Sequence, residues 1–170
     1  MAVEIRKVQR KDLGTLVELL AQMDGEPPLP AVHAQRVFRE MSAYPSYSSW
    51  LACVHGEPVG TFSLLVFPTL VHKGAFEALV DAVVVAPAWR GRGIGGAMMA
   101  EAMRLAARAG CYKLMLSSNV KREDAHRFYR SLGFRQHGVS FWIDIVPLGD
   151  PYRAASGRRG ARSEARTAAV

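Results

Sequence analysis

The stretch VVVAPAWRGRGIGGA, residues 83–97, is the part of the sequence that most clearly predicts the fold. Three β-branched valines suit a buried strand, because such side chains pack well on a pleated surface. Pro87 cannot continue a hydrogen-bonded ladder, so we expect the strand to end near Ala86. Apolar residues at helical spacing begin at Ile94. The stretch therefore predicts a strand, a glycine-rich loop and a helix in direct succession.

The glycine-rich loop is suited to binding a phosphate group. Glycine can adopt positive φ and lets the backbone approach a ligand closely, so that N–H groups can point at oxygen atoms. The next helix starts inside the loop, and its unbonded N–H groups and positive dipole end favour an anion. The residues that we expect to form this site are Arg90, Gly91, Arg92, Gly93, Ile94, Gly95 and Gly96.

Two other kinds of phosphate loop fit the sequence less well. A P-loop requires Lys and then Ser or Thr after its last glycine, whereas this chain has Ala97 and Met98. The glycines also satisfy the spacing G-x-G-x-x-G of a dinucleotide site, but that site requires an acidic residue about 20 positions further on. This chain has Ser117, Ser118 and Asn119 there, so a nucleotide-binding oxidoreductase is the less favoured alternative.

The same loop resembles the coenzyme A signature of the GNAT superfamily of N-acetyltransferases, R/Q-x-x-G-x-G/A. The matching residues are Arg90-Gly91-Arg92-Gly93-Ile94-Gly95. A second segment, HRFYRSLGF at residues 126–134, resembles the family pattern A-x-x-F/L-Y-x-x-x-G-F. The resemblance implies an acyl-CoA-dependent N-acetyltransferase that uses acetyl-CoA as co-substrate.

The predicted helices and strands follow the order of that family, βααβββαβαββ. Apolar spacing and turn residues predict strands at 3–7, 49–54, 59–67, 76–85, 111–117, 134–136 and 139–145, and helices at 13–23, 32–42, 94–109 and 122–132. The fold class is α/β (α+β), with a mixed, mostly antiparallel central sheet flanked by helices. We predict one domain over residues 1–146 and a basic, disordered tail over 147–170, where apolar periodicity stops.

The resemblance also implies catalytic roles. Tyr129 corresponds to the phenol that protonates the departing thiolate, and Asp81 resembles an acidic residue of the strand before the loop. Because Asp81 lies among apolar residues, we expect it to be buried, which would suit a general base. Glu77 competes for that role, since it lies on the same face by the period of a strand. Either carboxylate could instead bind the substrate ammonium or pair with an arginine.

Other positions are implied to hold the coenzyme. The valine strand, Val83, Val84 and Val85, is expected to separate from the next strand, so that backbone amides of Val83 and Val85 bind the pantetheine arm and polarise the thioester carbonyl. Asn119 resembles a coenzyme contact, or it caps the following helix. His72 and Lys73 could line the mouth of the acceptor site.

The predicted reaction is transfer of an acetyl group to a primary amine of a small molecule or peptide, by direct attack in a ternary complex. A catalytically inactive acyl-CoA-binding regulatory module is the first alternative. The histidines lack metal-ligand spacing, and no DNA-binding motif is present, so we expect neither a metal nor a nucleic-acid partner. No signal-like or membrane-spanning segment is evident, which favours a cytoplasmic protein. Homodimers through the last strands are common in the family.

Overall fold

The computed structural model describes residues 1–141 and 143. Met1–Gln136 form one compact unit, and the described part of the second unit, residues 137–141 and 143, contains no helix or strand. The strands are β1 (Glu4–Lys7), β2 (Tyr47–Val54), β3 (Glu57–Pro68), β4 (Phe76–Val85) and β5 (Cys111–Met115). The α-helices are α1 (Leu13–Asp24), α2 (Ala31–Ser42), α3 (Ile94–Arg108) and α4 (Glu123–Ser131), and short 3₁₀ turns cover Arg10–Asp12 and Pro87–Trp89.

The five strands form one sheet in the order β1-β2-β3-β4-β5. Neighbours are antiparallel except β4 and β5, which are parallel. The predicted mixed, mostly antiparallel sheet flanked by helices is therefore confirmed. One parallel pair among the described strands does not make the doubly wound sheet of a dinucleotide-binding domain.

Along each strand, alternate side chains lie on opposite faces of the sheet. On the α3 face, Ala78 and Val80 of β4 belong to the same core as Ile94 and Met98 of α3. On the α1 face, Leu51 and Cys53 of β2 pack with apolar residues of α1, namely Leu13, Leu16 and Leu19. We use "α3 face" and "α1 face" in this sense below.

A β-bulge interrupts β4 at Ala82. The register passes from Ser63↔Asp81 to Thr61↔Val84, so β4 contains one more residue than β3 over this interval. Ala82 takes φ of 51°, a left-handed conformation that is costly for a residue with a Cβ. Beyond the bulge Val83 and Val85 pack on the α3 face, although residues of odd number before it point to the α1 face. The bulge therefore exchanges the two faces of the strand.

A pair of charged side chains ties β1 to the start of α1. Arg6 donates from Nη1 and Nη2 to Oδ2 and Oδ1 of Asp12, at 2.7 and 2.9 Å, and the Gln9 amide donates to Oδ2 at 2.8 Å. Asp12 is buried. The hydrogen bonds from Arg6 outweigh burial, and with the bond from Gln9 they lower the pKa of Asp12 to about 2.

The end of the predicted order is not reproduced. Residues 134–136 form no strand. Of the predicted strand 139–145, the described residues do not pair with another strand. The other residues of that strand and the predicted tail lie outside the described part. The reason at Phe134 is that its amide bonds back to the carbonyl of Tyr129, at 3.1 Å, and so closes α4 beyond Gly133. β5 also ends at Met115 rather than at Ser117.

None of the helices within residues 1–141 and 143 has the length and the apolar character needed to cross a membrane.

Candidate active site

The glycine-rich loop places the start of α3 as predicted. Gly93 has φ of 82° and forms the N-cap of the helix, and no side chain caps it. The first helix-type bond is donated by Ala97 to the Gly93 carbonyl, at 3.0 Å. The amides of Ile94, Gly95 and Gly96 therefore precede the helical hydrogen bonds, and they are the donors that an anion would use.

Two arginines border these amides, and each is held by a neighbour. The Nε of Arg90 donates to the carbonyl of Val85, at 3.0 Å. The guanidinium of Arg92 lies over the ring of Trp89, 5.0 Å from its centroid. Both arginine side chains are exposed, so their charge remains available to a ligand at the start of α3. The site combines backbone donors with positive charge, which suits a phosphate or pyrophosphate.

The sheet is open between β4 and β5 beside this loop. The two strands pair only as far as Leu79 and Met115, and among the described strands none pairs with β4 on that edge beyond Leu79. The amide of Ala86 donates to the carbonyl of Val59, at 2.9 Å, so Val84 also faces β3. Val83 and Val85 therefore turn their backbone groups to the open edge, whereas Val84 does not.

Tyr129 lies beside the open edge and is partly buried. It packs against the core of the α3 face, between the rings of Phe128 and Phe134, whose centroids lie 5.2 and 5.7 Å away. A Cβ on Gly95 would come within 3.0 Å of Cζ of Phe128, so the missing side chain lets α4 approach α3 closely. Burial raises the pKa of Tyr129; the positive charge of Arg122 opposes the rise and the negative charge of Asp81 adds to it. The phenol is therefore a proton donor at neutral pH.

Asp81 stands next to the bulge on the α1 face, but it is exposed rather than buried as expected. The expectation failed because the apolar neighbours in sequence point elsewhere: Val80 packs in the α3-face core, and β5 has ended before it could cover the edge of β4. Tyr129 packs on the α3 face and Asp81 lies on the α1 face; the negative charge of Asp81 makes a minor contribution to the raised pKa of Tyr129.

Glu77 lies on the same face of β4, as predicted, but in a different environment. Its Oε1 accepts a hydrogen bond from the phenol of Tyr112, at 2.9 Å, and its Oε2 lies 3.3 Å from Nζ of Lys113. Burial raises the pKa of Glu77, but the hydrogen bonds from Tyr112 and Lys113 outweigh it and hold the pKa below its usual range. Four residues of strand separate it from Asp81, roughly 13 Å. The structure therefore does not bring Glu77 to Tyr129.

Asn119 shapes the turn between β5 and α4. Its Oδ1 accepts a hydrogen bond from the Lys121 amide and its carbonyl accepts one from the Arg122 amide, both at 2.9 Å. The N-cap residue of α4 is Arg122, so Asn119 does not cap that helix. Among residues 1–141 and 143, no group of three His, Cys, Asp or Glu side chains is placed to hold a metal ion.

The sequence prediction missed several polar residues around this site. Tyr112 and Lys113 hold Glu77. Ser63 pairs in register with Asp81 on the α1 face, and Ser49 and Tyr47 of β2 lie on the same face. A polar residue inside an otherwise apolar strand is the signal that could have found Ser63. Tyr112 and Lys113 gave no such signal, since a strand at a sheet edge often carries polar side chains.

Comparison with known proteins identifies the class to which this fold and site belong. Residues 16–134 match the model of the acetyltransferase (GNAT) family. The chain is 30% identical over 145 residues to a glucosamine 6-phosphate N-acetyltransferase of Trypanosoma brucei brucei, covering 84% of this chain and 96% of that protein. It is 40% identical over 91 residues to an aminoalkylphosphonate N-acetyltransferase of Salmonella typhimurium, covering 54% of this chain and 58% of that protein.

Solved structures agree with the sequence relatives. A putative acetyltransferase from Agrobacterium tumefaciens superposes with a TM-score of 0.79 at 34% identity, over 84% of this chain and 99% of that one. The fold and the site define an acyl-CoA-dependent acetyltransferase. The chain belongs to the GNAT family. This membership, together with a sheet whose described strands include one parallel pair, decides against the oxidoreductase alternative.

Proposed function

We propose that this protein transfers an acetyl group from acetyl-CoA to the primary amine of a small molecule that carries a phosphate or phosphonate group. The observation that carries the proposal is the opening between β4 and β5, with Asp81 and Tyr129 beside it. The named acceptors of two relatives, glucosamine 6-phosphate and an aminoalkylphosphonate, are both amines that carry such an anion.

The donor half of the site follows from the loop. The amides at the start of α3, with Arg90 and Arg92, suit a pyrophosphate. Arg90 occupies the Val85 carbonyl, and the backbone N–H groups of Val83 and Val85 at the open edge suit a pantetheine arm. Acetyl-CoA supplies a thioester whose carbonyl carbon the amine attacks. The N–H donors of this edge would hold the negative charge that develops on the carbonyl oxygen. Asn119 lies in the turn between β5 and α4, and we retain it as a coenzyme contact.

We assign the roles of acid and base to Tyr129 and Asp81. As the C–N bond forms and the C–S bond breaks, Asp81 takes the proton of the amine, directly or through water, and Tyr129 gives its proton to the thiolate. Glu77 is less suited to be the base, because Tyr112 and Lys113 occupy both of its oxygens. With no nucleophilic cysteine motif, direct attack in a ternary complex is the simplest course.

The anion of the acceptor would find cationic side chains on the same face, where Lys113 already has Glu77 as an acidic partner. Lys113 is paired in register with Glu77, on the α1 face that also carries Asp81. The exposed residues His72 and Lys73 belong to the loop before β4, and the ring of His72 lies 4.8 Å from that of Tyr112. An amine at Asp81 with its anion directed toward Lys113 would run along β4.

The test is thiol release from acetyl-CoA with paired acceptors. Glucosamine 6-phosphate and 2-aminoethylphosphonate are compared with glucosamine and ethanolamine, which lack the anion, and with a peptide that has a free amino terminus. We expect kcat/KM to be at least about tenfold higher for one of the anionic amines than for its uncharged partner, the value of one charge-assisted contact. Equal rates within both pairs, or preference for the peptide, would contradict the acceptor class. Binding of acetyl-CoA without turnover of any amine would instead support the inactive module.

A further inference from the structure

A row of hydroxyl groups crosses the sheet on the α1 face and ends at Asp81. Ser49 of β2 pairs in register with Ser63 of β3, and Ser63 pairs with Asp81 of β4. Directly opposed residues of antiparallel strands share one face with their Cβ atoms about 5 Å apart. The hydroxyls of Ser49 and Ser63 lie 2.8 Å apart, and both side chains are buried.

Tyr47 lies on the same face, two residues before Ser49. It is half-buried, and it lines a cleft of about 100 Å³ between α2 and β2 together with Ser49, Phe38 and Met41. Burial raises the pKa of Tyr47, the charge of Asp81 raises it further and a hydrogen bond with Ser63 opposes the rise. The phenol is therefore protonated at neutral pH, next to Ser63 and close to Asp81.

Two tyrosines lie on opposite faces of the sheet that carries Asp81. Tyr129 packs against the core of the α3 face, whereas Tyr47 packs on the α1 face, yet the charge of Asp81 acts on both. A complete sheet would separate them, and the opening between β4 and β5 removes that barrier. The donor would bind at the start of α3, on the face of the sheet that carries Tyr129. The acceptor would therefore approach from the opposite face, which carries Tyr47.

We propose that Tyr47 is an acceptor-binding residue, whose phenol is held in place by the Ser63–Ser49 pair and contacts the amine substrate beside Asp81. This inference rests on the proposed function, since it needs an acceptor at Asp81. The phenol can donate to a polar group of the acceptor or accept from its ammonium. The buried hydroxyl of Ser63, which already shares a hydrogen bond with Ser49, gives the phenol a fixed polar neighbour.

The test separates the acceptor from the donor in steady-state kinetics. With the best amine of the panel above, we expect Tyr47→Phe to raise the KM of the acceptor by about three- to tenfold, the value of one hydrogen bond, and to leave the KM of acetyl-CoA unchanged. Ser63→Ala should act in the same direction and Ser63→Thr, which keeps the hydroxyl, should restore the wild-type KM. Ser46→Ala is the control, because Ser46 is exposed and lies outside both the row and the cleft.

An unchanged acceptor KM in Tyr47→Phe would overturn the inference while the proposed function stands. Equal increases in both KM values, with a lower melting temperature, would also overturn it, since they indicate a structural role. A wild-type chain that acetylates no amine of the panel would overturn both, because an acceptor-binding residue requires an acceptor.

Discussion

At the scale of single residues, the phenol of Tyr129 provides the most direct test of the chemistry. We expect Tyr129→Phe to lower kcat by about 100-fold, the lower end of what general acid catalysis contributes. Because burial raises the pKa of Tyr129 above its ordinary value, the activity that depends on its proton should be lost only at a pH more alkaline than that at which an unperturbed tyrosine ionises. Calorimetry should show that binding of acetyl-CoA is retained. A variant with wild-type kcat would exclude Tyr129 as the acid.

The two carboxylates of β4 are distinguished by a pair of conservative changes. Asp81→Asn should lower kcat/KM for the amine by about 100-fold, since it removes the proton acceptor and leaves the shape of the residue. Glu77→Gln should retain most of kcat, because Glu77 is engaged by Tyr112 and Lys113 away from Tyr129. The measurement is thiol release at saturating acetyl-CoA. The opposite ranking of the two variants would transfer the role of base to Glu77.

At the scale of helices and strands, the contact between α3 and α4 depends on a residue without a side chain. Gly95→Ala would place a Cβ 3.0 Å from Cζ of Phe128, and overpacking of this kind costs about 1–3 kcal/mol. We expect a lower melting temperature and a loss of activity, since α4 also carries Tyr129. Gly14→Ala in α1 is the control: a Cβ there meets open space, so helix propensity should stabilise it by up to about 1 kcal/mol. A Gly95→Ala variant as stable as wild type would show that Phe128 moves aside.

Most of these elements could be predicted from the sequence, and the exceptions have physical causes. Helix periodicity, glycine stops and valine-rich strands predicted every element from β1 to α4, because local propensity and burial agree there. The prediction of a strand at 134–136 was wrong, because the Phe134 amide bonds back to α4 instead of pairing with a neighbouring strand. The bulge could not be predicted, because Ala82 has no preference for positive φ and takes it only when the partner strand imposes the register.

The candidate site was predictable where it depends on one segment of chain. The loop from Arg90 to Gly96 carries its chemistry in its own backbone, so its position at the start of α3 followed directly from the sequence. Tyr47 and Ser63 were missed because their proximity to Asp81 depends on how three strands pair, which no single strand encodes. The exposure of Asp81 was missed for the same reason, since it depends on where β5 ends.

At the scale of the whole molecule, the pair Arg6–Asp12 makes stability depend on pH. The pKa of Asp12 is about 2 in the folded protein and near 3.8 without its partners. The stabilisation is therefore complete above pH 4 to 5 and is lost as pH falls through about 2, and it corresponds to about 2 kcal/mol. Urea unfolding at several pH values should show Asp12→Asn less stable than wild type by about this amount at pH 7.

The difference should be mostly lost near pH 2, where the wild-type carboxyl is half protonated, and should disappear below that pH. Asp124→Asn is the control, because Asp124 lies exposed on α4 and should leave the pH dependence unchanged. A constant difference between Asp12→Asn and wild type across this range would mean that Asp12 acts through packing rather than through its charge.

The opening between β4 and β5 has a consequence for the kinetics of the proposed reaction. If the donor occupies the α3 face and the acceptor the α1 face, each substrate has its own entrance, and neither needs to wait for the other. Free coenzyme A should then compete with acetyl-CoA alone, and the acetylated product with the amine alone. A sheet with a gap would thus permit the two substrates to bind in random order. The pattern of product inhibition would then show on which face of the molecule each ligand binds.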